Sequence, residues 1–285
     1  MRVMVLGAGG MLGHDLVATA PTGIELTALN RAQLDLTNRN ALEEKVTSVR
    51  PGVIINAAAY TAVDRAESER EEAFRVNAEA VGELGRIATA VGARVVHFST
   101  DYVFDGEATE PYAEDAPTNP INVYGASKLA GEQALAASGA EHLVIRTQWL
   151  FGLHGRSFPR TMWDRATARQ RTKVVDDQRG RPTFTDDVAR ATWLLLQRRE
   201  RGLVHTANEG TATWYQVARR VFDRAGAADL LEPCRTADYP TVARRPSSSV
   251  LDLSRFRRTT GTGFASWEDA LDRVLEQLKS TKGGT

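Results

Sequence analysis

Arg2-Val3-Met4-Val5-Leu6-Gly7-Ala8-Gly9-Gly10-Met11-Leu12-Gly13 is an apolar run that breaks into a glycine-rich loop. The run is far too short for the core of a signal peptide, and it reads as a buried strand. Glycines at 7, 10 and 13 then permit a tight turn, close approach of a pyrophosphate, and tight packing of a helix on the strand. A helix opening at Gly10 would turn its free N–H groups toward phosphate. Gly7, Gly9, Gly10, Met11, Leu12 and Gly13 are therefore the first expected cofactor-binding residues.

Outward from that loop, short β-rich runs alternate with helical stretches. The strands are expected at Arg2–Leu6, Glu25–Leu29, Val53–Asn56, Arg94–Ser99 and His142–Thr147. Helices are expected near Gly10–Ala20, Asn38–Val49, Asp64–Val91 and Tyr124–Ala137. Such alternation predicts a parallel sheet covered on both faces. Right-handed crossovers make it an α/β fold with a Rossmann-like doubly wound parallel sheet. The second half is less regular. It predicts helices near Ser157–Arg169, Asp186–Arg199, Trp214–Ala225 and Ser266–Lys279, with short strands near Lys173–Val175 and Leu203–Thr206. Pro233, Pro240 and Pro246 punctuate a loop-rich stretch. Residues 1–150 are thus expected to form a dinucleotide-binding domain. Residues 151–285 are expected to form a smaller mixed α/β C-terminal substrate lobe, some of whose segments return to the main sheet.

Composition narrows the function classes. The 285 residues are 42% hydrophobic and 25% charged, ample for a globular core. A formal net charge of zero gives no bulk attraction to nucleic acid or an anionic membrane. The single cysteine, Cys234, excludes an internal disulfide and fits a reducing compartment, so a cytoplasmic location is expected. No apolar run is long enough to span a bilayer. The five histidines, at 14, 97, 142, 154 and 205, show no metal-ligand spacing, so no metal is expected. His97, inside an apolar strand, reads as a core histidine. Glu67 to Glu72 read as a solvated helix face, and Lys279–Thr285 as a frayed tail.

Chemistry gathers at the ends of the strands. Asn30-Arg31 ends the second strand, where an NAD site often carries an acid; an arginine there suits a 2′-phosphate and points to NADPH, with NADH possible. Asp35 and Leu36 could meet an adenine edge, or Asp35 could cap the next helix. Ala57, Ala58 and Ala59 offer small side chains where a cofactor could pass. Tyr124 and Lys128 lie one helical turn apart. An ammonium beside a phenol favours the phenolate, so Lys128 is expected to lower the Tyr124 pKa and make it a proton donor near pH 7. Thr100, beyond the fourth strand, could polarise a carbonyl oxygen. Arg244 and Arg245 are both candidates to grip a diphosphate.

Four stretches together carry a resemblance: the glycine loop, Asn56–Asp64, Ser99–Gly106 and Tyr124–Lys128. They resemble the extended short-chain dehydrogenase/reductases, and within them the dTDP-4-dehydrorhamnose reductase family. Arg146–Gly152, Asp177–Thr183, Ala243–Pro246 and Leu251-Asp252 extend the likeness over nearly the whole chain. The resemblance implies a catalytic set of Thr100, Tyr124 and Lys128. It also implies NADPH-dependent reduction of the 4-keto group of a dTDP-4-keto-6-deoxysugar. Tyr124 would protonate O4, and Lys128 would hold the nicotinamide ribose. Ala59, Tyr60 and Thr61 would line the cofactor–substrate junction. Thr61, Thr100, Asp101, Tyr102, Tyr124 and Trp149 would meet the substrate. Related dehydratases carry Thr-Asp-Glu; Tyr102 stands in place of that glutamate, which disfavours elimination. Some relatives are associated with Mg²⁺ through acidic residues, and Asp15 falls near such a position. A monomer or homodimer is expected. The alternatives are a reductase of another dTDP-4-keto-deoxysugar, and a non-catalytic NADP-binding subunit similar to the regulator of methionine adenosyltransferase.

Overall fold

The computed structural model describes residues 1–282. Five strands appear where the apolar runs place them: β1 (Arg2–Leu6), β2 (Glu25–Leu29), β3 (Val53–Asn56), β4 (Arg94–Thr100) and β5 (His142–Thr147). A sixth, β6 (Gly202–His205), comes back from the second half and pairs with β5. All pairings are parallel, in the order β6-β5-β4-β3-β1-β2. The chain reverses its direction of travel between β1 and β3, and the crevice for a ligand opens at such a switch point.

Side chains alternate across these strands, and each parity has its own core. Val3, Val5, Val53, Ile55, Val96, Phe98, Leu143 and Ile145 face one side. There they meet Leu12 and Leu16 of α1 (Met11–Ala18). Met4, Leu6, Ile54, Val95 and Val144 face the other. They are covered by Leu42 and Val46 of α2 (Arg39–Val49), Val81, Leu84 and Ile87 of α3 (Ala80–Val91), and Leu135 of α4 (Val123–Ala137). Asn38 caps α2 by accepting from Ala41 N–H at 3.1 Å, and Asn122 caps α4 by accepting from Gly125 N–H at 2.8 Å.

The helix expected over Asp64–Val91 is broken. Val63–Ala66 and Arg70–Phe74 are short turns, and Arg75–Glu79 widens into a π-turn before α3. Asn77 explains the widening. Its side chain accepts from Tyr60 N–H at 2.8 Å and donates to Tyr60 C=O at 3.0 Å and to Ser127 Oγ at 2.9 Å. Gly131 lets α4 come against this bulge: a Cβ there would sit 2.0 Å from the Asn77 carbonyl oxygen.

The second half carries α5 (Phe158–Thr167), α6 (Thr185–Gln197), α7 (Trp214–Arg224) and α8 (Trp267–Lys282). It has its own core, with Phe151, Met162, Trp163, Val217, Phe222 and Leu271 among its members. Two-stranded pairings knit it together, including Thr172–Val175 beside Leu231–Cys234. α6 belongs to the main sheet instead: Val188, Leu195 and Leu196 join the core under α1, and Trp193 Nε1 donates to Leu16 C=O at 3.1 Å. The frayed tail expected from Lys279 is helical through Lys282; residues 283–285 lie outside the described residues.

Candidate active site

A cavity of about 490 Å³ runs along the ends of β1, β2 and β3. Gly7, Gly9, Gly10, Asn30, Arg31, Asp35, Leu36, Ala57, Ala58, Ala59 and Tyr60 line it, as the sequence anticipates. Ala32, Leu34 and Val76 line it too, without a signal of their own in the sequence. Gly7 has φ +76°, and a Cβ on it would lie 2.6 Å from Ala58 N. A Cβ on Gly13 would lie 2.1 Å from Gly7 C=O, so Gly13 serves the packing of α1 and not the cavity wall. Leu12 is buried in the core, Met11 packs near Gly152, and Thr61 is exposed; none of the three lines this cavity. The narrow glycine cradle at the start of α1 fits a pyrophosphate.

Arg31 is exposed at the cavity rim and pairs with Asp35 at 3.6 Å. Asp35 does not cap α2. Its Oδ1 accepts from Thr37 N–H at 2.9 Å and Thr37 Oγ1 at 2.8 Å, and these bonds hold its pKa below the usual value. Asn38 takes the capping role.

The chemical groups converge beyond β4. Thr100 is its last residue, and its Oγ1 donates to Asp101 Oδ1 at 3.0 Å and accepts from Tyr102 N–H at 3.2 Å. Tyr124, in the first turn of α4, has the Thr100 hydroxyl as a hydrogen-bond partner. The residue is half-buried, and its hydroxyl is enclosed. Burial first, and the Asp101 carboxylate second, push the Tyr124 pKa up to about 12, with Thr100 opposing. Asp101 is buried, and desolvation lifts its own pKa to about 7 against the Ser249 and Thr100 hydroxyls.

Lys128 corrects an expectation. Its Nζ lies 3.3 Å from His97 Nε2, and it is not among the groups that shift Tyr124. Burial lowers the Lys128 pKa to about 8, with Glu132 pulling the other way. His97 is fully buried, and desolvation and Lys128 together hold it well below its ordinary value. The reason is local geometry: β4 turns the His97 ring under α4, directly in the path of Lys128. Arg146 of β5 keeps α4 in place by gripping Glu132 with two bonds, of 2.6 and 2.9 Å.

A second cavity, of about 350 Å³, opens between Tyr102, Arg245 and the second lobe. Phe158, Met162, Lys173, Gln178 and Trp214 line it. Here the structure distinguishes the two arginines. Arg245 lines the cavity and makes paired bonds of 2.6 and 2.7 Å to Asp64, whereas Arg244 is exposed. Tyr102 meets Tyr124 edge-on, with ring centroids 5.9 Å apart. Trp149 does not line either cavity. It adopts φ +47° and stacks on Trp214 at 3.7 Å, with Gly180 against its ring. Trp214 thus both stacks and faces the cavity.

Residues 1–280 match the RmlD substrate binding domain family. The chain belongs to this family. It is 37% identical over 289 residues to the dTDP-4-dehydrorhamnose reductase of Sinorhizobium fredii, covering 98% of each chain. It is 41% identical over 287 residues to a Streptomyces antibioticus protein named as a probable dTDP-4,6-dihydroxy-2-methyloxan-3-one 4-ketoreductase, covering 98% of this chain and 96% of that one. Among solved structures, the dTDP-4-dehydrorhamnose reductase of Bacillus anthracis, in complex with NADP, superposes with a TM-score of 0.94 at 34% identity. That likeness covers 97% of this chain and 99% of the other.

This RmlD-family chain also brings together residues whose spacing gave no sign of it. His14 and Asp15 of α1 meet His154 from the loop after Phe151, with ligand atoms all within 4.8 Å of one another. The two imidazoles stack with centroids 3.4 Å apart. Histidine spacing alone does not reveal a cluster whose members are so far apart in sequence. No helix among the described residues is long and apolar enough to cross a membrane.

Proposed function

We propose that this RmlD-family chain reduces the 4-keto group of dTDP-4-dehydro-β-L-rhamnose to give dTDP-β-L-rhamnose, using a nicotinamide cofactor. The observation that carries the reading is the position of Thr100, Tyr124 and Lys128. Thr100 ends β4 and the other two stand on α4, where Tyr124 packs in one cluster with Tyr60 of the glycine-lined cavity and meets Tyr102 of the second cavity edge-on. The relatives' names and the NADP in the Bacillus anthracis structure support it.

When bound, the nicotinamide supplies hydride. The cradle of Gly7, Gly9 and Gly10 would hold its pyrophosphate, and Arg31 at the rim favours the 2′-phosphate of NADPH. Thr100 orients the carbonyl oxygen, and Tyr124 gives it a proton. A Tyr124 pKa of about 12 keeps that proton on the phenol at neutral pH. It is still acidic enough to protonate the alkoxide that a ketone becomes, because an alkoxide is far more basic than a phenolate. The second cavity suits the dTDP moiety, with Trp214 as an aromatic face and Arg245 as a bidentate donor.

A panel of dTDP-4-keto sugars assayed with NADPH and NADH tests the reading. Turnover of dTDP-4-dehydrorhamnose, faster with NADPH, is expected. Tyr124→Phe should lower kcat by about 10²–10⁴-fold and leave cofactor binding intact. Near-normal turnover in that variant would overturn the mechanism. The Streptomyces antibioticus relative supports a second reading, reduction of a different dTDP-keto sugar. A preference within the panel for a sugar other than dTDP-4-dehydrorhamnose would establish it.

A further inference from the structure

Three buried side chains from three elements form a line: Asn56 at the end of β3, His97 in β4 and Lys128 in α4. Their exposures are 1%, 0% and 2%. Asn56 Nδ2 lies 3.2 Å from His97 Nδ1, and His97 Nε2 lies 3.3 Å from Lys128 Nζ. Parallel registry of β3 and β4 sets Asn56 directly opposite His97.

The orientation of the Asn56 amide follows from its other bond. Ala58 N–H points at Asn56 Oδ1 at 3.1 Å, and a backbone N–H accepts nothing, so that atom must be the oxygen. The NH₂ group therefore faces His97 and donates to Nδ1. A neutral imidazole has one donor and one acceptor. With Nδ1 accepting, the proton sits on Nε2 and points at Lys128. An ammonium on Lys128 would then set N–H against N–H, whereas a neutral amine would accept. A charged Lys128 can be accommodated only by moving the imidazole proton to Nδ1, against the Asn56 amide, or by turning that amide against Ala58.

We propose that Asn56 and His97 are positioning residues that set the protonation state of Lys128, by fixing His97 as the Nε2–H tautomer against it. This rests on the reductase reading for its kinetic consequence but not for its chemistry. The other charged groups around the pair are few. Glu132, one turn along α4, favours the ammonium and is itself held by Arg146 of β5. Asp101, beyond β4, acts on Tyr124. Burial of Lys128 acts in the same direction as the tautomer lock. Together they hold the lysine close to proton release at working pH. The sequence reading of His97 as a core histidine describes its burial but misses this role.

Asn56→Asp tests the proposal with almost no change of shape. A carboxylate at 56 still accepts from Ala58 N–H, but it also accepts from His97, which draws the imidazole proton to Nδ1. Nε2 then becomes an acceptor for the Lys128 ammonium. In ¹⁵N-histidine spectra of the full chain at pH 7, assigned by loss of the signal in His97→Gln, wild type should show the Nε2–H pattern and the variant Nδ1–H. The basic limb of kcat against pH should move up by about one pH unit or more in the variant. An Nδ1–H tautomer in wild type would overturn the proposal. So would a limb that stays in place after the tautomer has switched, or one that moves while the tautomer stays. The wild-type spectrum needs neither a variant nor turnover, so failure of the reductase reading leaves it able to decide.

Discussion

Burial raises the Asp101 carboxyl to about 7 and, through Asp101, helps to raise the Tyr124 phenol to about 12. Both shifts keep protons on the site. The Asp101 shift also has a cost in stability whose sign can be worked out. Its folded pKa lies above the ordinary 3.8, so the folded state binds the proton more tightly than the unfolded chain. Below pH 4 both states are protonated, and the group contributes nothing. As pH rises from about 4 to 7 only the unfolded chain ionises, and stability falls; above 7 the folded carboxyl ionises as well and the loss levels off. The full shift corresponds to about 4 kcal/mol as an upper bound. Asp101→Asn removes the titration while leaving an oxygen to accept from Thr100. Urea unfolding between pH 4 and 8 should then show wild type losing stability with rising pH and the variant a visibly flatter profile. The variant should also lower the Tyr124 pKa, because the Asp101 charge that opposes the phenolate is gone. Parallel pH profiles in the two proteins would contradict the assignment.

At the scale of elements, α4 carries the chemistry, and its position depends on one contact. Gly131 lies against the Asn77 carbonyl, where a Cβ would approach to 2.0 Å. Gly131→Ala must push α4 off the π-turn, breaking the bond from Asn77 to Ser127, the residue before Lys128. Overpacking of this kind costs typically about 1–3 kcal/mol. A displacement of the catalytic turn also costs rate, so kcat should fall by about tenfold or more while Kd for NADPH stays nearly unchanged. Calorimetry and steady-state kinetics on the one variant measure both, and unchanged kcat would show that α4 tolerates the shift. The strands β1 to β5 were legible from the sequence because a doubly covered parallel sheet demands continuous apolar runs, and Val3–Leu6, Val53–Ile55 and Leu143–Ile145 supply them. The π-turn was not legible, since its cause is a long-range contact between Asn77 and Tyr60 or Ser127. The same holds for Lys128. Spacing puts it one turn from Tyr124, but only the packing of α4 on β4 places His97 in front of it. Arg245 differs from Arg244 only through its reach to Asp64, 181 positions earlier.

Across the whole molecule, packing and strand pairing cross residue 150. β6 closes the sheet beside β5, and α6 covers α1, so Val188, Leu195, Leu196 and Val204 complete a core that begins at Val3. Arg245 grips Asp64, Asn122 Nδ2 donates to Arg244 C=O at 2.9 Å, and Trp193 donates to Leu16 across the same divide. A fragment ending at residue 150 would leave β5 as a bare edge and one face of the sheet open. Each buried aliphatic side chain it lacks is worth about 1.5–3 kcal/mol, and net stabilities are only about 5–15 kcal/mol. The fragment should therefore fail to fold into a cofactor-binding domain. The intact chain should unfold as one unit, and its tryptophans make this easy to follow. Four of the five, at 163, 193, 214 and 267, lie beyond the proposed boundary and Trp149 stands just before it, while the glycine cradle lies at the start of the chain. In urea, tryptophan fluorescence, far-UV circular dichroism and loss of NADPH binding should give one coincident midpoint. Separate midpoints for fluorescence and cofactor binding, or a fragment 1–150 with sharp melting and NADPH affinity, would instead show that the dinucleotide-binding half holds its own fold.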